Sequence, residues 1–470
     1  MTHALSAGHA ERRFILLTAT RWLPVGVVFG LTVLLPLERG LSLAQVGALL
    51  AVQGFVVLGL ELPTGGLADA LGRRPPLVAS GVLAVASALL MVVATGFWMF
   101  AAAMLLQGVF RALDSGPLEA WYVDSAQAAD AGAPIERGLG RASGMLGLAI
   151  AAGALAGGGL VAWHPIAGWS ALALPFVVAT VLYALHATLV ALLVREPGRR
   201  PRTPTSPTPA PTSPRSHFHV QNPRFGRKSD FSADGVGVDA PTSTRATRHG
   251  PRAFAPVAEG VRLLGRSRVL RCLVLVEVFW SLAMIAFETL TPVGLAGFLG
   301  GEDAAAALFG PASAAAWGLF ALGSLLGATL GRRIGVARAA IVARILNGGF
   351  VVLMGFALGP VGLLAGYGLA YLSHGAAGPL HSTLLHREAS AANRSVVLSI
   401  NSMIAGGSYS LGLLILTPLA QTAGTGVAFV AAGAFSVIGA LLYLPAAARE
   451  RETRADRADR ALRLRAETLG

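Results

Sequence analysis

Twelve apolar runs of about 20 residues each, joined mostly by short polar loops, decide what this 470-residue chain can become. They cover residues 14–36, 42–63, 76–95, 98–118, 141–163, 170–194, 270–295, 305–330, 337–358, 361–383, 395–419 and 425–446. About 20 apolar residues in helical form cross the hydrocarbon core of a bilayer. In that core every backbone N–H and C=O must find a partner inside the protein, and a helix provides one for each. The composition agrees: 54% of residues are hydrophobic and only 13% are charged, against about 25% charged in soluble domains. The expected fold is an all-α polytopic membrane protein with twelve transmembrane helices. No cleavable leader is expected, because Arg12 and Arg13 lead straight into a full span.

The formal net charge of +13 does not point to nucleic acid, because the arginines gather in alternate loops. Arg73 and Arg74, Arg332, Arg333 and Arg338, and Arg387 and Arg394 follow even-numbered spans, whereas the opposite loops hold Arg39 beside Glu38, His164, and Glu302-Asp303. Positive residues favour the cytoplasmic face, so both termini are expected there. Lys228 is the only lysine among 37 basic residues. Together with abundant Ala and Gly this suggests a GC-rich bacterial source and a cytoplasmic membrane. Cys272 is the only cysteine, which excludes an intrachain disulfide and a multi-cysteine metal site.

Four regions are expected: an N-terminal six-helix bundle (1–196), a linker (197–255), a C-terminal six-helix bundle (256–446) and a charged cytoplasmic tail (447–470). Seven prolines fall between Pro197 and Pro214, among Ser, Thr and Arg. Such a segment buries too little apolar surface to fold and reads as a disordered cytoplasmic tether. In the tail, Glu450/Arg454, Asp456/Arg460 and Asp459/Arg463 are i,i+4 pairs that suit a solvated helix. Six spans, a linker and six spans imply an internal repeat.

Between the second and third runs stands Gly65-Gly66-Leu67-Ala68-Asp69-Ala70-Leu71-Gly72-Arg73-Arg74. The glycines allow a tight bend, Asp69 can cap or pair at a helix end, and the arginines hold the turn on one side. This G-x-L-A-D-x-x-G-R-R block resembles the loop 2–3 signature of the major facilitator superfamily of transporters. A second copy, Leu326-Gly327-Ala328-Thr329-Leu330-Gly331-Arg332-Arg333, follows the eighth span without the Asp. The run Ser115-Gly116 to Glu119-Ala120-Trp121 and Asp124 resembles a subset of bacterial members. The resemblance implies two pseudo-symmetric six-helix bundles that rock about a midplane site lined by spans 1, 4, 7 and 10. It implies that Gly65, Asp69, Gly72, Arg73 and Arg74, with Glu61, set the conformational equilibrium. It further implies a small-molecule substrate, H⁺ as coupling ion, and a monomer.

Ionisable residues inside a membrane are costly and are functional candidates by default. Gln107, Arg111, Asp114 and Ser115 fall on one helical face of span 4, where Arg111 and Asp114 can pair at i,i+3. The exporter pattern R-x-x-Q-G is matched at Gln107-Gly108, but Met104 stands in place of the Arg. In span 5 the antiporter pattern G-x-x-x-G-P-x-x-G-G is matched in part of its glycines and lacks its proline. Arg21 in span 1 is expected to pair with Glu61 or Glu119, or to bind an acidic group of the substrate. Glu288 in span 7, next to Thr289, Thr291 and Pro292, is the expected cavity carboxyl and proton carrier, or else a buried hydrogen-bonded acid. Glu277 is expected to pair with Arg344. His374 is a cavity hydrogen-bonder or relay; with His381 it makes only a weak metal signal, and no metal is expected. His381, His386 and Glu388 are the only candidates for a membrane-embedded enzyme. No nucleotide-binding or hydrolase motif occurs, and no cofactor or enzyme activity is expected. The expected function is proton-coupled efflux of a small, amphiphilic or drug-like molecule; the rival is uptake of a polar metabolite by symport or uniport.

Overall fold

The computed structural model describes residues 5–130, 132–195, 262–389 and 393–469. The expected disordered linker, 197–255, lies outside the described residues. Among those described the fold is all-helical, with twelve helical spans. Eleven are long and apolar enough to cross a membrane. The other, Pro360–Glu388 (span 10), is equally long but carries Tyr367, Tyr371, Ser373, His374 and His381. Its polarity reflects what it faces.

The spans depart from straight rods where the sequence gives a reason. Span 1 divides into Ala7–Val27 and Leu31–Glu38 at Gly30, which adopts φ +80°. Span 4 divides into Phe97–Asp114 and Pro117–Ala129. Span 7 runs Arg268–Ile285, then a π-helical turn Ala286–Leu290, then Thr291–Leu299. Span 2 runs Leu43–Leu71, well past the expected end at 63. The Gly65–Arg74 block is therefore mostly helix, and only Gly72 and Arg73 make the turn before Arg74–Val93 (span 3) begins. Span 12 likewise continues as one helix, Leu444–Leu469, through the tail.

The two halves repeat. Gly72 and Gly335 both take positive φ directly before spans 3 and 9, and Gly96 and Gly359 both precede spans 4 and 10. The two pairs stand at the same sequence separation. Packing repeats as well: span 1 lies on 5 as 7 lies on 11, span 3 on 4 and 6 as 9 on 10 and 12, and span 2 on 4 as 8 on 10. Across the halves, span 2 meets span 11 (Arg394–Ala423) and span 5 (Ile135–Trp163) meets span 8 (Glu302–Ile334). Gly158 and Gly310 let spans 5 and 8 touch backbone to backbone; a Cβ on either would collide with the opposite chain.

Candidate functional site

The close approaches between the halves fall away from the chain termini. Gly47 meets Thr417, Gly54 meets Ser410, Gly158 meets Gly310, and Gln421 Oε1 accepts from Ala44 N at 2.9 Å. On the terminal side of these contacts the N-terminal half borders a cavity of about 430 Å³. Arg21, Arg111, Asp114, Ser115 and Glu119 line it beside Phe14 and Trp22.

Span 4 breaks inside this wall. Gly116 adopts φ +90°, a region open to glycine, and Pro117 starts the next helix where no N–H is required. Asp114 is thus the last residue of its helix. Its carboxylate accepts from Nε of Arg21, and both side chains are nearly buried, at 12% and 6% exposure. The Arg21 guanidinium also lies over the rings of Phe110, at 4.2 Å, and Trp22, at 4.9 Å. This corrects two expectations: Arg21 pairs with neither Glu61 nor Glu119, and Asp114 does not pair with Arg111. Residues 111 and 114 share a helix face, but the kink after Asp114 turns its carboxylate to span 1. Arg111 is left exposed to the cavity without a hydrogen bond or ion pair among the described residues. Gln107 is also displaced from its expected place: it borders a gap of about 10 Å³ inside the N-terminal half, with Phe110, Phe176 and Tyr183. Met104, at the position of the exporter arginine, is fully buried.

A second carboxyl, Glu288, lies at an irregular turn of span 7. An α-helix needs the N–H of residue 292 for the carbonyl of Glu288, and Pro292 has none. Thr291 Oγ1 donates to the Phe287 carbonyl at 2.6 Å, and the chain widens into the π-turn 286–290 with Glu288 inside it. Tyr371 of span 10 donates its hydroxyl to Glu288 Oε1 at 3.3 Å. Around them stand Phe287, Trp317 and Tyr367, and Thr289 bonds Tyr409 at 3.1 Å. Arg111 lies within charge–charge range of Glu288 and Tyr409. A cation of the first half and a carboxyl of the second thus interact electrostatically.

The remaining candidates are placed elsewhere. His374 is stacked on Trp280 at 4.9 Å and packed on Phe320 and Phe287, with Nδ1 buried and unpartnered. Glu277 pairs not with Arg344 but with His381 Nε2 at 3.0 Å, and Asn401 donates to it at 3.1 Å. His381 Nδ1 in turn meets the Tyr443 hydroxyl at 2.8 Å, while Arg344 stacks over Trp280 at 4.8 Å. This buried network drawn from spans 7, 10, 11 and 12 has no sequence motif; similar depth in four spans was the only available signal. Among the described residues no three His, Cys, Asp or Glu side chains gather as a metal site.

In the loop 2–3 block, Gly65 and Asp69 are helical in backbone, and their side-chain surroundings lie outside what is described. Arg73 reaches Asp124 of the span 4 extension at 3.7 Å, and Arg74 donates to the Ala191 carbonyl. Glu61 makes no ion pair among the described residues and does not join that contact. The second copy is held differently. After Gly335, the carboxylate of Glu450 accepts from the N–H groups of Val336 at 3.2 Å and Ala337 at 3.0 Å, so a residue from the tail caps span 9.

The chain matches the family model described as Major Facilitator Superfamily over residues 14–373. No curated protein matches it. Among solved structures it is similar to a point mutant of the nucleoside transporter NupG, with a TM-score of 0.70, 11% identity, and 93% of this chain and 99% of that one covered. The NupG structure without that mutation gives 0.68, 12%, 93% and 98%. A POT family transporter in complex with 5-aminolevulinic acid gives 0.65, 13%, 93% and 96%. At such identities the likeness speaks for the fold, and the sequence match speaks for descent. With its two repeated six-span halves, the chain belongs to the major facilitator superfamily.

Proposed function

We propose that this secondary transporter exports a small amphiphilic molecule in exchange for protons, by alternating exposure of the central cavity. The observation that carries the reading is the electrostatic interaction of Arg111 with Glu288 across the two halves, with Phe14 and Trp22 lining the cavity beside the first and Phe287, Trp317 and Tyr371 gathered at the second. Isolated charges set among rings suit a cargo with one polar end and an apolar body. Glu288 is the proton carrier in this reading. It has a hydrogen bond from Tyr371, sits in an irregular turn that can change shape, and among the described residues makes no ion pair with a cation of its own half. The Arg21–Asp114 pair holds the kinked end of span 4 against span 1 and shapes the cavity wall. Arg73–Asp124 and the Glu450 cap fasten the two loop blocks whose rearrangement accompanies the rocking of the halves. The reading places the termini in the cytoplasm of a bacterial cell and the working unit as a monomer.

A second reading, uptake of a polar metabolite, is favoured by the number of ionisable groups on one wall: Arg21, Arg111, Asp114 and Glu119. The test is a reconstituted-liposome assay with an imposed pH gradient and a panel of lipophilic cations, antibiotics and polar metabolites. Export predicts proton movement opposite to an amphiphilic cargo. Proton movement in the same direction as a polar cargo would establish uptake instead, and cargo flux without protons would remove Glu288 from the mechanism.

A further inference from the structure

We propose that the terminal-side end of the C-terminal half holds a site for one anionic phospholipid, with the headgroup phosphate bound by Arg457 and Arg454 of the span 12 extension. A cavity of about 350 Å³ opens there between the start of span 7, the end of span 10 and the helix that continues span 12. Its walls are of two kinds. Leu273, Leu384 and Ala446 form a buried apolar floor, with Val269 partly buried beside them. Arg387, Arg449, Arg454 and Arg457 form the rim.

The carboxylates in the rim are already committed. Glu388 accepts from Arg449 at 2.7 and 3.0 Å and from Ser267 at 3.4 Å. Glu450 caps Val336 and Ala337 and also accepts from Arg387 at 3.3 Å and Arg454 at 3.5 Å. Three guanidinium groups thus share two carboxylates, and the fourth, Arg457, has no hydrogen bond or ion pair among the described residues. The site has spare positive charge with donors suited to phosphate oxygens.

Position selects the source of the phosphate. Leu441 and Leu444, 62% and 50% exposed, lie on the outer surface of span 12 directly before the arginines begin. The cavity therefore sits where the apolar belt gives way to charge, at headgroup level, with an apolar floor ready for the first part of an acyl chain. A soluble phosphate would leave that floor uncovered. Anionic lipid attraction at a membrane surface amounts to about fivefold in affinity per arginine. The same helix also caps span 9 through Glu450, so an occupied site clamps spans 7, 9, 10 and 12 together at this end.

The test is lipid titration of the full-length protein in detergent, read by native mass spectrometry and by thermal unfolding. The probes are phosphatidylglycerol, phosphatidylcholine and inorganic phosphate. The site predicts retained phosphatidylglycerol and a rise in unfolding temperature that phosphatidylcholine does not give. Arg457→Gln should weaken phosphatidylglycerol about fivefold, Arg454→Gln/Arg457→Gln about 25-fold, and Arg460→Gln, further along the helix, not at all. Should the double variant fail to fold, the single Arg457→Gln, which breaks no contact, still decides. Equal binding of phosphatidylcholine, equal loss in Arg460→Gln, or displacement of the lipid by equimolar inorganic phosphate would overturn the proposal. None of these readouts depends on transport.

Discussion

The two halves place a carboxyl at an irregular turn, and they treat it in opposite ways. In the first half Asp114 ends a helix at a Gly-Pro break and is held by Arg21 from span 1. In the second half Glu288 sits in a π-turn before Thr-Pro and is held only by a tyrosine hydroxyl. An ion pair in a nearly buried place fixes charge and geometry together, because removing one partner strands the other. A neutral donor fixes geometry and leaves the protonation state free to change. In the proposed reading the repeat thus yields one structural carboxyl and one chemical carboxyl, and Arg111, which Asp114 leaves for Arg21, interacts electrostatically with the chemical one.

The largest expected effect tests the structural member. Arg21→Ala or Asp114→Asn should cost about 3–5 kcal/mol of stability, visible as a fall in the thermal unfolding midpoint. Arg21→Met/Asp114→Leu should recover most of that loss without recovering transport. Equal stability of the single variants would show that the pair holds nothing. Next comes the chemical member. Glu288→Gln keeps the shape and the Tyr371 contact, so unfolding should stay within about 1 kcal/mol of wild type, while pH-driven cargo movement falls at least tenfold. A large drop in stability instead would make Glu288 structural and erase the contrast.

Smaller effects sharpen the comparison. Pro292→Ala returns an N–H to the Glu288 carbonyl and should favour ordinary helix over the π-turn; transport should fall several-fold in liposome assays with little change in unfolding. Unchanged transport would mean that the turn is incidental. Least of all, the loop blocks should differ. Glu450→Gln removes a charge bonded to two backbone N–H groups and should cost about 1 kcal/mol. Asp124→Asn, at a half-exposed side chain 3.7 Å from its partner, should cost under about 0.5 kcal/mol. Chemical denaturation of the two variants side by side checks the order.

Most of the fold was legible in the residues. Apolar runs of the right length gave all twelve spans, and Gly72-Arg73-Arg74 gave the turn before span 3, although span 2 ran eight residues further as helix because nothing before Gly72 stops it. The break at Ser115-Gly116-Pro117 and the π-turn before Pro292 carry local signals that a reading by helical period alone passes over. The site was legible in its members more than in its pairs. Arg21, Arg111, Asp114 and Glu119 do line the cavity, yet i,i+3 spacing assigned Asp114 to Arg111 when a kink gives it to Arg21. Pairing across spans depends on tilt and depth, which no single span encodes. The same limit explains Glu277 with His381 in place of Arg344, and Gln107 turned into the bundle.

The most direct test of the division between the two carboxyls is a pair of liposome measurements on one protein, wild type against Glu288→Gln, with cargo exchange at equal pH and cargo movement under a pH gradient. The account predicts that the variant keeps exchange and loses the gradient-driven movement. Gradient-driven movement at the wild-type rate in Glu288→Gln would contradict it.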